Sequence, residues 1–228
     1  AVSSLLLEKL RGARDSLLIA SDHSAVALRQ AREDLGAAYN NLVQFVQAKG
    51  EHLSDVVRDR VDMVFLCNAI HMVPDKSKLI NEVKSVLRPG GTFAFNSAFF
   101  QGTNTPETDQ FLRRWMFKAL RTLKHEYNLS PNKAEKVESR KHLTVEEYTK
   151  LLNENGFHVA KSSIELAAMP LEAWLDISSF EDFIAGIMPG VPLDQASASL
   201  KKAATQVFDE MSIKAVPRNW LGIVAVRN

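Results

Sequence analysis

Residues 61–95 read VDMVFLCNAIHMVPDKSKLINEVKSVLRPGGTFAF. Val61 to Leu66 is a short, mostly apolar run, the composition of a strand buried on both faces. Asn68 to Asp75 reads as a loop, with Pro74 marking its end. Lys76 to Leu87 places Leu79, Ile80, Val83, Val86 and Leu87 on one helical stripe. Pro89-Gly90-Gly91 cannot prolong a helix, and Thr92 to Phe95 is the next strand. Strand, crossover helix and strand within about 35 residues make one right-handed βαβ unit, so the sheet is parallel here. In parallel α/β sheets ligands settle at the carboxyl ends of strands. Cys67, Asn68, Ala69, Ile70 and His71 therefore stand at the expected mouth of a site.

Upstream, residues 1 to 11 read as a helix with Leu6, Leu7 and Leu10 on one side. Ser16 to Ala20 reads as a strand, and Asp22 follows it. Ser24 to Leu35 reads as a helix with Val26, Ala27, Leu28, Ala31 and Leu35 inward. Leu42 to Val46 is a further strand, followed by a loop from Gln47 to Leu53. Downstream, Pro106 to Tyr127 reads as a long helix with Pro106 in its first turn. Phe111, Trp115, Leu120 and Leu123 form its apolar side. Arg113, Arg114, Lys118, Arg121 and Lys124 crowd the other, either as a solvated basic face or as an attractor for an anionic group. Residues 128 to 142 are polar and expected to be mobile. Thr144 and Glu147 have the spacing of a capping box for a helix that Gly156 ends, and Phe157 to Leu166 is a strand. Helical stretches at 171–177, 179–187 and 193–213 follow, and Trp220 to Val226 is a last buried strand.

The chain has 228 residues, the size of one α/β domain or of one domain with an inserted cap. A net charge of +1 gives no electrostatic case for nucleic acid or an acidic membrane as partner. The single cysteine, Cys67, leaves no internal disulfide and fits a reducing compartment. No apolar run approaches the roughly 20 residues of a membrane-spanning helix. Glu8 and Lys9 interrupt Leu5-Leu6-Leu7, so the beginning does not read as a secretory signal. A cytoplasmic location is the expectation. No His, Cys and Asp cluster has metal-ligand spacing, so no metal is expected.

Taken as a set, the aspartate opening the strand (Asp62), NAIHMVPD, LRPGG and the later LTVEEYTKLLNENGF resemble a class I S-adenosylmethionine-dependent methyltransferase of the small-molecule type. The resemblance covers roughly residues 1 to 100 and 143 to 166. It implies a Rossmann-like, mostly parallel sheet with helices on both faces. Residues 1–100, 143–166 and 216–228 would form that core. Residues 101–142 and 167–215 would be two helical insertions forming a substrate-binding cap. The implied cofactor is S-adenosyl-L-methionine. Asp22 stands where the family places the acid that takes both ribose hydroxyls, with His23 beside it, although a turn or helix-cap aspartate has the same look. Where the family often carries an adenine-binding aspartate, this chain has Lys49, which cannot accept a hydrogen bond. Glu51 or the backbone of Gly50 would serve instead, unless the turn is merely solvated. The largest departure is at the beginning: no Gly-x-Gly occurs among the ten glycines. The expectation is therefore a first strand and glycine loop upstream of residue 1, or else a relative that has lost the cofactor.

Methyl transfer from a sulfonium asks the protein chiefly to align nucleophile and methyl group. His71 is the candidate general base, against a loop histidine that merely packs. Asn68 and Ala69 are candidates for cofactor contact. Asn-Ala-Ile-His is not the Asn-Pro-Pro-aromatic loop of methylases acting on bases, which again points away from nucleic acid. Cys67 has no glycine elbow and is a poor nucleophile candidate. The expected acceptor is a small or medium-sized, largely apolar molecule, free or carrier-bound. A nicotinamide-dependent reductase would also use Asp22, but Gly-x-Gly-x-x-Gly and Tyr-x-x-x-Lys are missing. A cofactor-free binding or scaffolding domain is the third reading.

Overall fold

The computed structural model describes residues 2–10, 12–13, 15–35, 39, 41–132 and 142–228. In chain order the elements are α1 (Val2–Leu10), β1 (Leu18–Asp22), α2 (Ala25–Leu35), β2 (Val43–Gln47), a 3-10 turn (Gly50–Asp55), β3 (Val61–Cys67), a second 3-10 turn (Ile70–Met72), α3 (Lys76–Val86) and β4 (Leu87–Ser97). Then come α4 (Pro106–Tyr127), α5 (Val145–Glu154), β5 (Phe157–Pro170), α6 (Leu171–Ile177), α7 (Glu181–Ile187), α8 (Leu193–Met211) and β6 (Ala215–Arg227). β1 and β2 pair in parallel as a two-stranded sheet, and a four-stranded sheet has the order β3-β4-β6-β5. β3 and β4 are parallel, as a βαβ crossover requires. The fold is the mixed α/β arrangement expected of a Rossmann-like core.

The chain divides into two compact units. One comprises residues 1–97, 145–162 and 222–228; the other comprises 98–144 and 163–221. In the first, α3 turns Leu79, Ile80, Val83 and Val86 into the core with Phe93 and Phe95 of β4. Tyr148 and Phe157 close the cluster, with ring centroids 5.4 Å from Phe95 and 6.0 Å from Phe93 respectively. In the second unit α4 and α8 bury Phe111, Trp115, Leu200, Ala203 and Phe208 around Trp174 of α6. Thr105 and Thr108 form a reciprocal capping box at the start of α4, and Asn128 ends that helix in the left-handed region at φ 53°.

Three expectations need correction. β3 is not buried on both faces: Met63 and Phe65 are 49% and 42% exposed. It has one strand neighbour, β4, among the described residues, and only alternate side chains such as Val64 and Leu66 turn inward. Val26, at 65% exposure, and Ala27 of α2 are not inward either; α2 has no fully buried residue, so an apolar stripe there has little to pack on. Finally, Leu87 belongs to β4 rather than to the preceding helix. The expected mobile segment at 128–142 falls partly outside the described residues, at 133–141.

The β3–β4 junction has a strict steric demand. Gly90 has φ +73°, and the register of the two strands shifts between Val61 and Met63. A β-carbon on Gly91 would lie 2.8 Å from the Arg88 carbonyl oxygen and 3.2 Å from that of Asp62. Both contacts are backbone, so neither can swing away. An ion pair between Arg88 and Asp62 spans the same turn, but both are mostly exposed and it adds little. Gly91→Ala should lower stability by about 1–3 kcal/mol in urea denaturation. Gly12→Ala, with open space around it, should stay within about 0.5 kcal/mol.

Candidate functional site

The carboxyl ends of β1, β2, β3 and β4 carry the candidate residues. Asp22 is the last residue of β1 and pairs in register with Gln47, the last of β2. The Ser24 amide donates to Asp22 Oδ1 at 2.8 Å, and His23 Nδ1 lies 3.5 Å from the same oxygen. Ser24 Oγ in turn accepts from the Ala27 amide at 3.2 Å, opening α2. The turn-forming role of Asp22 is therefore real. It occupies Oδ1 alone, and the side chain is 45% exposed. Gln47 Nε2 donates to the His23 carbonyl at 3.0 Å, tying the two strand ends together.

The turn that carries Gly50 and Glu51 is held by α3. The Ser54 amide and hydroxyl both donate to Glu82 Oε2, at 2.9 and 2.7 Å. A β-carbon on Gly50 would lie 2.7 Å from Leu79 Cδ1, so glycine here lets the turn sit against α3. Desolvation pushes the Glu82 carboxyl up, but the two Ser54 bonds and the charges of His52 and Lys78 bring it net below the usual carboxylate range.

At the end of β3, Cys67 pairs in register with Asn96. The Asn68 amide donates to Asn96 Oδ1 at 2.7 Å, and Asn68 itself takes φ +48°, a conformation that asparagine tolerates better than most residues. Ala69 leads into the 3-10 turn, where Ile70 is fully buried and His71 is 8% exposed. Ser97 Oγ of β4 lies 3.4 Å from His71 Nδ1. Asp75 accepts from the Lys78 amide at 2.9 Å and starts α3 directly after the loop. Cys67 is exposed, and desolvation by its surroundings pushes its thiol up from the ordinary value, away from a thiolate nucleophile. The groove along α5, lined by Val145, Thr149, Lys150 and Asn153, shares no residue with these strand ends. Among the described residues no group of three His, Cys, Asp or Glu could hold a metal ion, and no helix is long and apolar enough to cross a membrane.

This arrangement can be set against known proteins. Residues 3–95 match a family profile described as "Methyltransferase domain". Over that stretch, less than half of the chain, it is similar to methyltransferase domains. Over 77 residues it is 40% identical to methyltransferase gedG of Aspergillus terreus, a stretch covering 34% of this chain and 23% of that protein. Over 53 residues it is 43% identical to CRG1 of Saccharomyces cerevisiae, named as an S-adenosylmethionine-dependent methyltransferase, covering 23% of this chain and 18% of that one. The matched stretches thus span about a fifth of either relative's length. A crystal structure of an S-adenosylmethionine-dependent methyltransferase from Thiobacillus denitrificans with S-adenosylhomocysteine bound is similar at a TM-score of 0.54 and 14% identity. The likeness covers 99% of this chain and 81% of that one, and at such identity it speaks for the fold alone.

The strand-end residues carry groups of the kind that the nucleoside portion of S-adenosylmethionine would need. Asp22 keeps an uncommitted carboxylate oxygen at a strand end, and the turn at 50–55 is braced beside α3. No Gly-x-Gly for the methionine portion occurs within residues 1–228.

Sequence reading missed Asn96, Ser97 and Glu82. The first two lie at the carboxyl end of β4, where the rule that singled out Asn68 to His71 applies equally. Glu82 sits mid-helix with no local mark of its long-range partner. Because its folded-state pKa is lowered, the stabilising effect of Glu82 is present above the unfolded value near 4.3 and is lost as pH falls through the lowered one. The stability difference between wild type and Glu82→Gln should be level from about pH 8 to 6 and shrink below about pH 4. It should stay under about 1 kcal/mol, since the pair is exposed; urea titrations across pH measure it.

Proposed function

We propose that the protein transfers a methyl group from S-adenosyl-L-methionine to a small or medium-sized, largely apolar acceptor. The match of residues 3–95 to the methyltransferase domain carries this reading, and the half-exposed carboxylate of Asp22 supports it. When bound, the cofactor supplies an already activated methyl group. The work left to the chain is to bind, orient and deprotonate. Asp22 takes the ribose hydroxyls, flanked by His23. The turn bearing Gly50 and Glu51 holds the adenine. Asn68 and Ala69 present polar backbone and amide groups to the cofactor. His71 accepts the acceptor's proton, its ring steadied by Ser97, in a setting that excludes most water. The acceptor, free or carrier-bound, is apolar in this reading. The near-neutral charge supports a small molecule over nucleic acid.

Calorimetric titration of S-adenosylhomocysteine into the natural full-length protein tests the cofactor assignment. Binding is expected, and Asp22→Ala should weaken it about tenfold or more, the loss of one or two charge-assisted hydrogen bonds. Absence of binding by the wild type overturns the reading. His71→Ala should leave this binding within about threefold while lowering kcat by about 10²–10⁴ with an acceptor that must lose a proton. An unchanged kcat would remove His71 from the chemistry and leave it a packing residue.

A further inference from the structure

Arg218 of β6 is 9% exposed, yet no Asp or Glu among the described residues pairs with it. Its Nη2 donates to the Ala98 carbonyl at 2.9 Å. Its guanidinium carbon lies 4.6 Å from the centre of the Phe99 ring and 5.7 Å from that of Trp174. The buried Nε has no hydrogen-bond partner, and neither does Nε1 of Trp174, which is 2% exposed. This is not the habit of the surrounding aromatic cluster. Trp115, in contact with Trp174, donates its Nε1 to the Leu200 carbonyl at 2.8 Å.

Burial pulls the guanidinium down to about 10, still far enough above neutrality that it keeps its charge. An unpaired buried charge is costly, and aromatic faces with one carbonyl offset only part of that cost. Arg227 differs in its terminal contacts: its Nε also lacks a partner, but its Nη1 donates to two carbonyls, Lys84 and Leu87, and it is only half-buried. The unmet groups around Arg218 are all donors plus one positive charge. What they lack is an acceptor with a single negative charge.

We propose that Arg218, with Phe99 and Trp174 beside it, is a subsite for the carboxylate of a small aromatic or apolar acid. A carboxylate is planar and takes two parallel bonds from a guanidinium fork. Its single charge matches the single arginine. A phosphate monoester carries up to two negative charges and would leave one unmatched in an apolar surround. The aromatic rings suit a flat apolar body attached to the acid. That this acid is the methyl acceptor rests on the function proposed above; the subsite itself does not.

Benzoate and benzamide share shape and differ in charge, which makes them the probes. Each is titrated into the full chain at constant ionic strength, followed by thermal shift and tryptophan fluorescence, with inorganic phosphate as a third arm. Benzoate should raise Tm in a saturable way, with benzamide and phosphate at least tenfold weaker. Arg218→Met should abolish the preference for benzoate without lowering the basal Tm, because no unpaired buried charge remains. Arg218→Lys should keep the preference at reduced affinity. Equal responses to benzoate and benzamide, no response to either, a stronger response to phosphate, or an intact benzoate preference in Arg218→Met would each overturn the proposal. Arg218 would then be a structural tie to Ala98. If Arg218→Met does not fold, the benzoate-to-benzamide ratio in Arg218→Lys decides, a ratio of one being the contrary result. A benzoate response without S-adenosylhomocysteine binding would keep the subsite and discard methyl transfer; the reverse pair of results would do the opposite.

Discussion

At Gly91 β4 runs close to β3: an added β-carbon would meet the Arg88 carbonyl at 2.8 Å and the Asp62 carbonyl at 3.2 Å. The register that follows depends on it. With Met63 opposite Thr92, the strands run in step to Cys67 opposite Asn96. That step sets the Asn68 amide on Asn96 and brings His71 beside Ser97. Were the strands displaced by one residue, every side chain would change face, and the loop carrying His71 would lose its partners on β4. A packing constraint at one end of the strand pair thus determines the geometry at the other.

The order of elements was legible because periodicity and punctuation agreed. Pro106 at the first turn and the run of apolar positions from Phe111 to Leu123 bounded α4 where the structure has it. Composition misled where it stood in for burial. VDMVFLC looks like a strand enclosed on both faces, yet Met63 and Phe65 are half bare, since composition does not say how many neighbours a strand has. The position of Asn68 to His71 followed from a topological rule, that sites form at strand ends, and that of Asp22 from the family resemblance. The rule supplies place and leaves role to chemistry. Arg218 gave no signal at all. It lies just ahead of the strand read at Trp220 to Val226, and only the fold puts it beside Phe99 and Trp174.

Both units hold buried polar atoms without a hydrogen-bond partner, among them Tyr148 Oη and Arg227 Nε in the first and Trp174 Nε1 and Arg218 Nε in the second. In the first, nearly every polar group named at the strand ends has a partner of matching kind: carboxylate with amide and hydroxyl at Glu82 and Ser54, side-chain amide with backbone at Asn96 and Asn68. Such closed arrangements rigidify. In the second, the aromatic cluster encloses donors that are left unmatched. Preorganised donors in a setting of low polarity interact strongly with whatever acceptor arrives, because they need no rearrangement.

The helix α3 is shared by two loops. Asp75 begins it where the turn bearing His71 ends, and Glu82, two turns later, grips Ser54 in the loop that bears Gly50 and Glu51. The motional freedom of these loops is therefore not independent. Stilling one restrains the helix, and a restrained helix has already taken part of the entropy that the other would lose. Two ligands held at such loops would favour each other with no displacement of either, through a common reservoir of disorder in one eleven-residue rod.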